Sequence, residues 1–260
     1  MTPPSSPPTK PITEPTPAER VALATKLYAA SCAGDASQVS HLLSIGAPIN
    51  ASSLVKGLFD GFRPAKNGHL CALAGAATHG KLEVVQLLVA AGALVNPDVN
   101  QSSSSPLHQA CYADHLELVR FLLSAGADIN AQNTFKSTPL MYAVKYGSPA
   151  VVALLLSYYP RLEMAGFAES TAVHWCVFNN PAGLAMLLRA GANPDAQMAD
   201  GSSALHMAAM SGKEDLVRLL LAFGADASLK DAGGQTVVDV ALSIERDNIV
   251  ALLRRTRAFE

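Results

Sequence analysis

Seven histidines and four cysteines are the side chains of this 260-residue chain that could bind a metal ion or act as nucleophiles. A zinc site needs ligands that converge on one ion, usually from closely spaced cysteine and histidine pairs. The cysteines form no Cys-x-x-Cys pair, and His108, His174 and His206 occupy the same place in three separate segments. Side chains placed in this way do not converge, so the spacing predicts no metal site.

Motifs for covalent or phosphate chemistry are also missing from the sequence. It contains no G-x-x-x-x-G-K-[ST] loop, no G-x-S-x-G nucleophile turn and no H-E-x-x-H helix. The glycine pair 233–234 lies in a short turn, DAGGQT, rather than in a phosphate loop. Because no acid–base pair stands at a recognisable spacing, we predict no catalytic residue, no cofactor and a function other than catalysis.

Charge and hydropathy exclude further classes of function. The formal net charge is -2 and 15% of the residues are charged, so the chain lacks the basic field that nucleic acid binding requires. No stretch approaches the roughly 18 consecutive apolar residues of a membrane helix. The N-terminus has no apolar signal region, and four cysteines are too few for a disulfide scaffold. We therefore expect neither nucleic acid nor membrane as a partner, and a cytoplasmic or nuclear location.

The chain divides into a tail and a periodic body. Residues 1–17, MTPPSSPPTKPITEPTP, contain seven prolines and almost no apolar side chains. Such a segment buries too little apolar surface to offset the entropy lost on ordering. We predict a disordered tail over 1–17 and a folded domain over 18–257.

The body repeats one unit. Apolar segments end at equivalent points, most of them in Gly-Ala, and the intervals between these points are 46, 34, 33, 32 and 33 residues. A fixed period of this size is typical of a solenoid. The equivalent residues are Gly46, Gly92, Gly126, Tyr159, Gly191 and Gly224.

Each unit contains the signals for two helices. A Ser or Thr, sometimes followed by Pro, opens a short first helix, because the hydroxyl caps free N–H groups and Pro fits the first turn. A polar turn leads to a longer apolar helix, which ends at a Gly suited to the left-handed conformation. The openings are SPLHQA (105–110), TPLMYA (138–143), TAVHWC (171–176) and SALHMA (203–208).

This unit resembles the ankyrin repeat, in its period and in its T-P-L-H-x-A signature. The resemblance covers residues 20–256 and is strongest over 105–130 and 203–228. It implies an all-α fold, a solenoid of paired antiparallel helices joined by short β-turn or finger loops. It also implies that the histidine of the signature stabilises the turn by hydrogen bonds. We predict repeats near 19–50, 70–96, 103–130, 136–162, 169–195, 201–228 and 234–257, with an insertion at 51–69.

The resemblance further implies which residues face the concave groove: those two, five and six positions after the reference leucine of each first helix. In a chain that is only 6% aromatic, these positions collect large side chains in repeats three to six. Tyr and Trp are typical of binding hot spots, so we predict a partner-binding surface there. Its residues are Tyr112, Tyr142, Lys145, Tyr146, Trp175, Phe178, Met207 and Met210, and the loop tips add Phe135 and Phe167.

Two functions remain open for this groove. The first is a protein-interaction module or adaptor that binds a helix or peptide of another protein. The alternative is a site for a small hydrophobic ligand, or an atypical enzyme, in which the insertion 51–69 covers the groove as a lid. The polar groups of such a pocket would be His79, Tyr112, Lys145 and Asn179. An open, shallow groove favours the first function and a closed pocket favours the second.

Overall fold

The computed structural model describes residues 16–54, 69–98, 104–178 and 180–257. Within these ranges the chain forms fourteen α-helices, a short 3-10 helix at Phe167–Glu169 and a pair of three-residue strands. The helices are α1 (Pro17–Ala33), α2 (Ala36–Ser44), α3 (Ala72–Thr78), α4 (Leu82–Ala90), α5 (Pro106–Tyr112), α6 (Leu116–Ser124), α7 (Pro139–Tyr146), α8 (Pro149–Ser157), α9 (Ala172–Cys176), α10 (Pro181–Arg189), α11 (Ala204–Met210), α12 (Glu214–Ala222), α13 (Val237–Ser243) and α14 (Asp247–Arg257).

The helices form seven consecutive pairs, which stack to make the solenoid. Within each pair the two helices contact each other, and the first helices pack in sequence from α1 through α3, α5, α7, α9 and α11 to α13. The second helices form a neighbouring row, in which α2 contacts α4 and the helices from α6 to α14 pack in order. This arrangement confirms the predicted all-α solenoid of paired helices. None of the described helices is both long and apolar enough to cross a bilayer.

One continuous core runs between the two rows of helices. The predicted reference positions of the first helices are almost fully buried in repeats one to six, because each lies between its own second helix and the neighbouring repeats. Burial of a leucine of this kind stabilises the fold by about 1.5–3 kcal/mol. These residues are Leu27, Leu73, Leu107, Leu140, Val173 and Leu205.

The signature histidine is a structural element of the turn. The His108 side chain is 1% exposed, and its Nδ1 accepts hydrogen bonds from the Ser105 N–H at 3.3 Å and from the Ser105 hydroxyl at 2.7 Å. Its Nε2 lies 2.9 Å from the carbonyl oxygen of Ser137 in the next loop and donates to it, since Nδ1 is the acceptor. His206 and His174 repeat the Nδ1 contact with Ser203 and Thr171. The implied hydrogen-bonding role is thus confirmed.

Both ends of the predicted insertion form a structure that the sequence pattern did not predict. Strand β1 (Ser52–Leu54) pairs antiparallel with strand β2 (His69–Cys71), with Ser52 opposite Cys71 and Leu54 opposite His69. The rest of the proposed lid, residues 55–68 of the insertion 51–69, lies outside the described residues.

The N-terminal boundary differs slightly from the prediction. The predicted tail lies outside the described residues up to position 15, but Thr16 and Pro17 belong to the first helix. Pro17 is the first residue of α1, and the Thr16 hydroxyl accepts a hydrogen bond from the Glu19 N–H at 3.3 Å. The Glu19 carboxylate in turn accepts from the Thr16 N–H at 2.8 Å, which completes a capping box.

Candidate functional site

Four rings from three consecutive first helices form an aromatic cluster: Tyr112 of α5, Tyr142 and Tyr146 of α7, and Trp175 of α9. The ring centroids of Tyr112 and Tyr146 are 4.9 Å apart in an edge-to-face arrangement. Those of Tyr142 and Trp175 are 6.0 Å apart. Such pairs add about 0.5–1.5 kcal/mol beyond the area that they bury. The structure therefore brings together four of the five aromatic residues that the repeat register predicted for the groove, and Phe178, two residues beyond the end of α9, lies beside Lys145 instead.

Tyr142 is the centre of this cluster and lies in the core, contrary to the prediction that placed it on the accessible groove. It is 6% exposed, and its hydroxyl accepts a hydrogen bond from Asn133 Nδ2 at 2.9 Å. The ring also meets the edge of His108 at 5.7 Å between centroids. Burial raises the pKa of the Tyr142 phenol. Tyr142 is thus enclosed by α5, α9 and the loop that carries Asn133.

Other members of the predicted surface remain accessible. Phe178 is 55% exposed, Met210 53% and Tyr146 37%. Trp175 and Met207 are half-buried beside them. We refer to these five residues as the groove strip. It crosses repeats four, five and six, with one exposed large apolar side chain in each repeat.

Lys145 places a positive charge within the groove strip. Its Nζ lies 5.0 Å from the ring centroid of Tyr146, 4.9 Å from that of Trp175 and 4.8 Å from that of Phe178. A cation this close to three ring faces is attracted by each of them. Among the described residues, no acceptor forms a hydrogen bond or ion pair with this ammonium group.

A buried serine orients the Trp175 ring. The indole Nε1 donates to Ser170 Oγ at 3.0 Å, and the Ser170 hydroxyl donates to the Phe167 carbonyl oxygen at 2.7 Å. This loop contains two residues with positive φ, Ala168 at 54° and Glu169 at 60°. Such conformations are costly for residues with a Cβ and persist only where the surroundings enforce them.

Lys213 holds the end of α9, a role that the sequence analysis missed. α9 has five residues, because repeat five is one residue short, and its last turn leaves carbonyl groups without helical partners. The Lys213 Nζ donates to the Val177 carbonyl oxygen at 2.9 Å and also to that of Phe178. In other repeats the same inter-repeat bond comes from His115 and Asn180. The repeat register could have predicted this bond, since Lys213 and His115 occupy the same position in the turn between the two helices of their repeats.

Replacing Lys213 with methionine is expected to lower the free energy of unfolding by about 1–2 kcal/mol, because two carbonyl groups lose a charged donor while the aliphatic stem is kept. Chemical denaturation measures the change. The matched control is Lys26→Met, which removes an exposed lysine of α1 and should change stability by less than about 0.5 kcal/mol. Equal effects of the two substitutions would contradict a positioning role for Lys213.

The two predicted loop-tip residues lie apart from the cluster. Phe135 is 41% exposed and Phe167 is 71% exposed, and each lies in a loop between consecutive repeats. Within the described part of the chain, neither makes a ring contact with the aromatic cluster. They remain predicted contact residues on the loop side of the groove.

The arrangement provides contact surface rather than reacting groups. No three His, Cys, Asp or Glu side chains among the described residues lie close enough to hold a metal ion. His79 is exposed and its Nδ1 lies 2.9 Å from the Gly75 carbonyl oxygen of its own helix. Asn179, like residues 55–68, lies outside the described residues. The small-molecule pocket covered by the insertion therefore stays a prediction.

Comparison with known proteins gives a consistent picture. A family model described as ankyrin repeats (3 copies) matches residues 26–133, 126–198 and 173–258. The mouse B-cell lymphoma 3 protein homolog is 34% identical over 167 residues, which cover 62% of this chain and 37% of that protein. Human transient receptor potential cation channel subfamily A member 1 is 32% identical over 154 residues, 58% of this chain and 14% of that one. This chain thus spans less than half the length of either relative.

Solved structures show the same architecture. The ankyrin repeat domain of Bcl-3, described as a unique member of the IkappaB protein family, is 28% identical with a TM-score of 0.67. The match covers 88% of this chain and 97% of that chain. The human ASB11 ankyrin repeat domain superposes with a TM-score of 0.66 at 23% identity, over 83% of this chain and 90% of that one, which is evidence for the fold alone.

Proposed function

The chain belongs to the ankyrin repeat family, and we propose that it is a protein-interaction module that binds its partner on the groove strip. The stacked repeats of this family form extended concave surfaces for binding. The proposal rests mainly on one observation. Tyr146, Phe178 and Met210 expose large apolar side chains on three consecutive repeats, although aromatic residues make up only 6% of the chain.

The chemistry of the strip suits a protein partner. Contiguous exposed apolar surface usually marks an interaction site, and Trp and Tyr are enriched among the residues that dominate binding energy. Methionine adapts its shape to the surface it meets, and Met207 and Met210 lie at the C-terminal end of the strip. In this proposal the module is an adaptor of the cytoplasm or nucleus, and any catalytic output comes from its partners.

The groove strip is tested by removing its two most exposed members together, Phe178→Ala with Met210→Ala. We expect the captured partner to bind at least about tenfold more weakly, because each truncation of a hot-spot side chain costs more than 1 kcal/mol. The thermal midpoint should change by only a few degrees, since both side chains are more than half exposed. Quantitative affinity capture with mass spectrometry measures the first effect, and calorimetry measures the second.

The control is a second pair of exposed large side chains outside the strip, Tyr158→Ala with Phe223→Ala. These residues are 45% and 37% exposed at the ends of α8 and α12. Partner capture should be unchanged in the control pair. If both pairs retain the same captured proteins at the same level, the partner does not use the groove strip.

A further inference from the structure

We infer that Lys145 determines which partner the groove strip accepts: the ammonium group pairs with a carboxylate of a partner helix, and large apolar side chains of that helix contact Tyr146, Phe178 and Met210. This inference rests on the proposed function and specifies the chemistry of the same surface. It predicts an amphipathic helix with one acidic residue on its apolar face.

The environment of Lys145 favours the binding of an anion next to its ammonium group. Three rings lie within 5.0 Å of Nζ and keep water away from those sides of the cation. Ring faces attract a cation but do not accept strong hydrogen bonds. No described residue accepts a hydrogen bond from the ammonium, so its N–H groups remain available to a ligand. A carboxylate that approaches between the apolar side chains forms a charge-assisted bond in a partly water-excluded place, where such a bond is stronger than on open surface.

Charge complementarity indicates that the partner side chain that meets Lys145 is negatively charged. Among the groove-facing positions of repeats one to six, Lys145 is the single Lys, Arg, Asp or Glu. The neighbouring cation, Lys213, already donates to the backbone of Val177 and Phe178. Asp114 lies in the turn after α5, and its Oδ1 accepts from the Ser148 N–H at 2.6 Å. At these register positions of the described repeats the groove therefore presents one available positive charge in an apolar setting, which complements a single acidic side chain with apolar neighbours.

The spacing of the strip matches a helix lying along the groove. Successive packed helices are about 8–10 Å apart, and Tyr146, Phe178 and Met210 each come from a different repeat. A helix rises 1.5 Å per residue, so apolar residues at i, i+7 and i+14 recur about every 10 Å on one face. An extended strand covers about 10 Å in three residues, but residues i and i+3 lie on opposite faces. The acidic residue belongs three or four positions from an apolar one, where it shares the same face.

Selection from a displayed library of helical peptides tests this inference. The library fixes a helical host and randomises one face, and it is selected separately against wild type, Lys145→Gln, Lys145→Arg and Phe178→Ala. We expect wild type and Lys145→Arg to enrich Asp or Glu beside large apolar residues. Lys145→Gln should enrich the apolar residues without the acid. Lys26→Gln, which removes an exposed lysine of α1, should select the wild-type pattern.

The best selected peptide then enters a double-mutant cycle measured by fluorescence anisotropy. Glu→Gln in the peptide and Lys145→Gln in the protein should each weaken binding about tenfold, as expected for a hydrogen bond between charged groups. The two changes together should weaken it little further.

The outcomes separate the two proposals. Three results would overturn the role of Lys145 and leave the groove strip standing. The selected peptides could need Phe178 but show no acidic preference, they could enrich Lys or Arg instead, or the two changes in the cycle could have additive effects. If no peptide is enriched, or if enriched peptides bind the Phe178→Ala variant unchanged, the groove strip fails, and the inference about Lys145 fails with it.

Discussion

Replacing Tyr142 with alanine is expected to lower the free energy of unfolding by about 3–5 kcal/mol, the range for removing a buried aromatic ring from a packed core. The ring is 6% exposed and contacts His108, Tyr112, Tyr146 and Trp175. Its loss leaves a cavity between three consecutive repeats and leaves the Asn133 amide without the Tyr142 hydroxyl. Urea denaturation monitored by circular dichroism measures the change.

Two substitutions separate the contributions of this residue. Tyr142→Phe keeps the ring and removes the hydroxyl with its hydrogen bonds to Asn133 and Ser104, so we expect a loss of about 1 kcal/mol. Phe178→Ala removes a ring that is 55% exposed and should cost less stability than Tyr142→Ala. If the free energy of unfolding of Tyr142→Ala lies within about 1 kcal/mol of the wild-type value, the ring is not part of the core.

Acidification is the second change with a large expected effect, and we expect it to act through His108. Burial lowers the pKa of this imidazole from 6.5 to about 4, although bonds to the Ser137 and Ala131 backbone and the charge of Asp128 oppose the shift. As the pH falls below 6.5 the unfolded chain binds a proton that the folded chain does not take up until about pH 4. The unfolded state is favoured as a result, and about 3 kcal/mol of stability is lost between pH 7 and pH 4. The His174 pKa is also lowered, mainly by burial, and adds to the loss in the same direction.

Stability measured in urea at several pH values checks this expectation. His108→Gln should flatten the pH dependence between 6.5 and 4, whatever its effect on stability at neutral pH. His41→Gln, at an exposed position on α2, should leave the pH dependence of the wild type unchanged. A His108→Gln protein with the full wild-type slope would show that other groups cause the acid sensitivity.

The fold could be predicted because its signals are local and repeated. The Ser, Thr and Pro openings, the leucine of each first helix and the closing glycines recur at nearly constant spacing, and the structure forms a helix pair at each repeat. The β1–β2 pair could not be predicted in this way. ASSL and HLC show no clear alternation of apolar and polar residues, so their pairing depends on tertiary contacts.

The sequence could predict which residues form the candidate site but not how deeply each of them is buried. Tyr142, Trp175 and Met207 occupy the same register position, yet Tyr142 is buried while the other two are half-buried. The difference arises from neighbours that register does not specify. The Tyr142 ring lies between those of Tyr112 and Trp175, and Asn133 provides a donor for its hydroxyl. The three-ring environment of Lys145 likewise depends on side-chain directions that spacing alone does not define.

Because helix α9 has only five residues, we expect the junction between repeats five and six to be the least stable of the described solenoid. In a chain of units that contact only their neighbours, opening begins where the nearest-neighbour term is smallest. Repeat five has a five-residue first helix whose end is held from repeat six by Lys213, so we expect transient separation into an N-terminal and a C-terminal block there. A ligand that touches both Tyr146 and Met210 bridges that junction. Occupancy of the groove would then suppress the separation, and amide exchange in α9 would report binding.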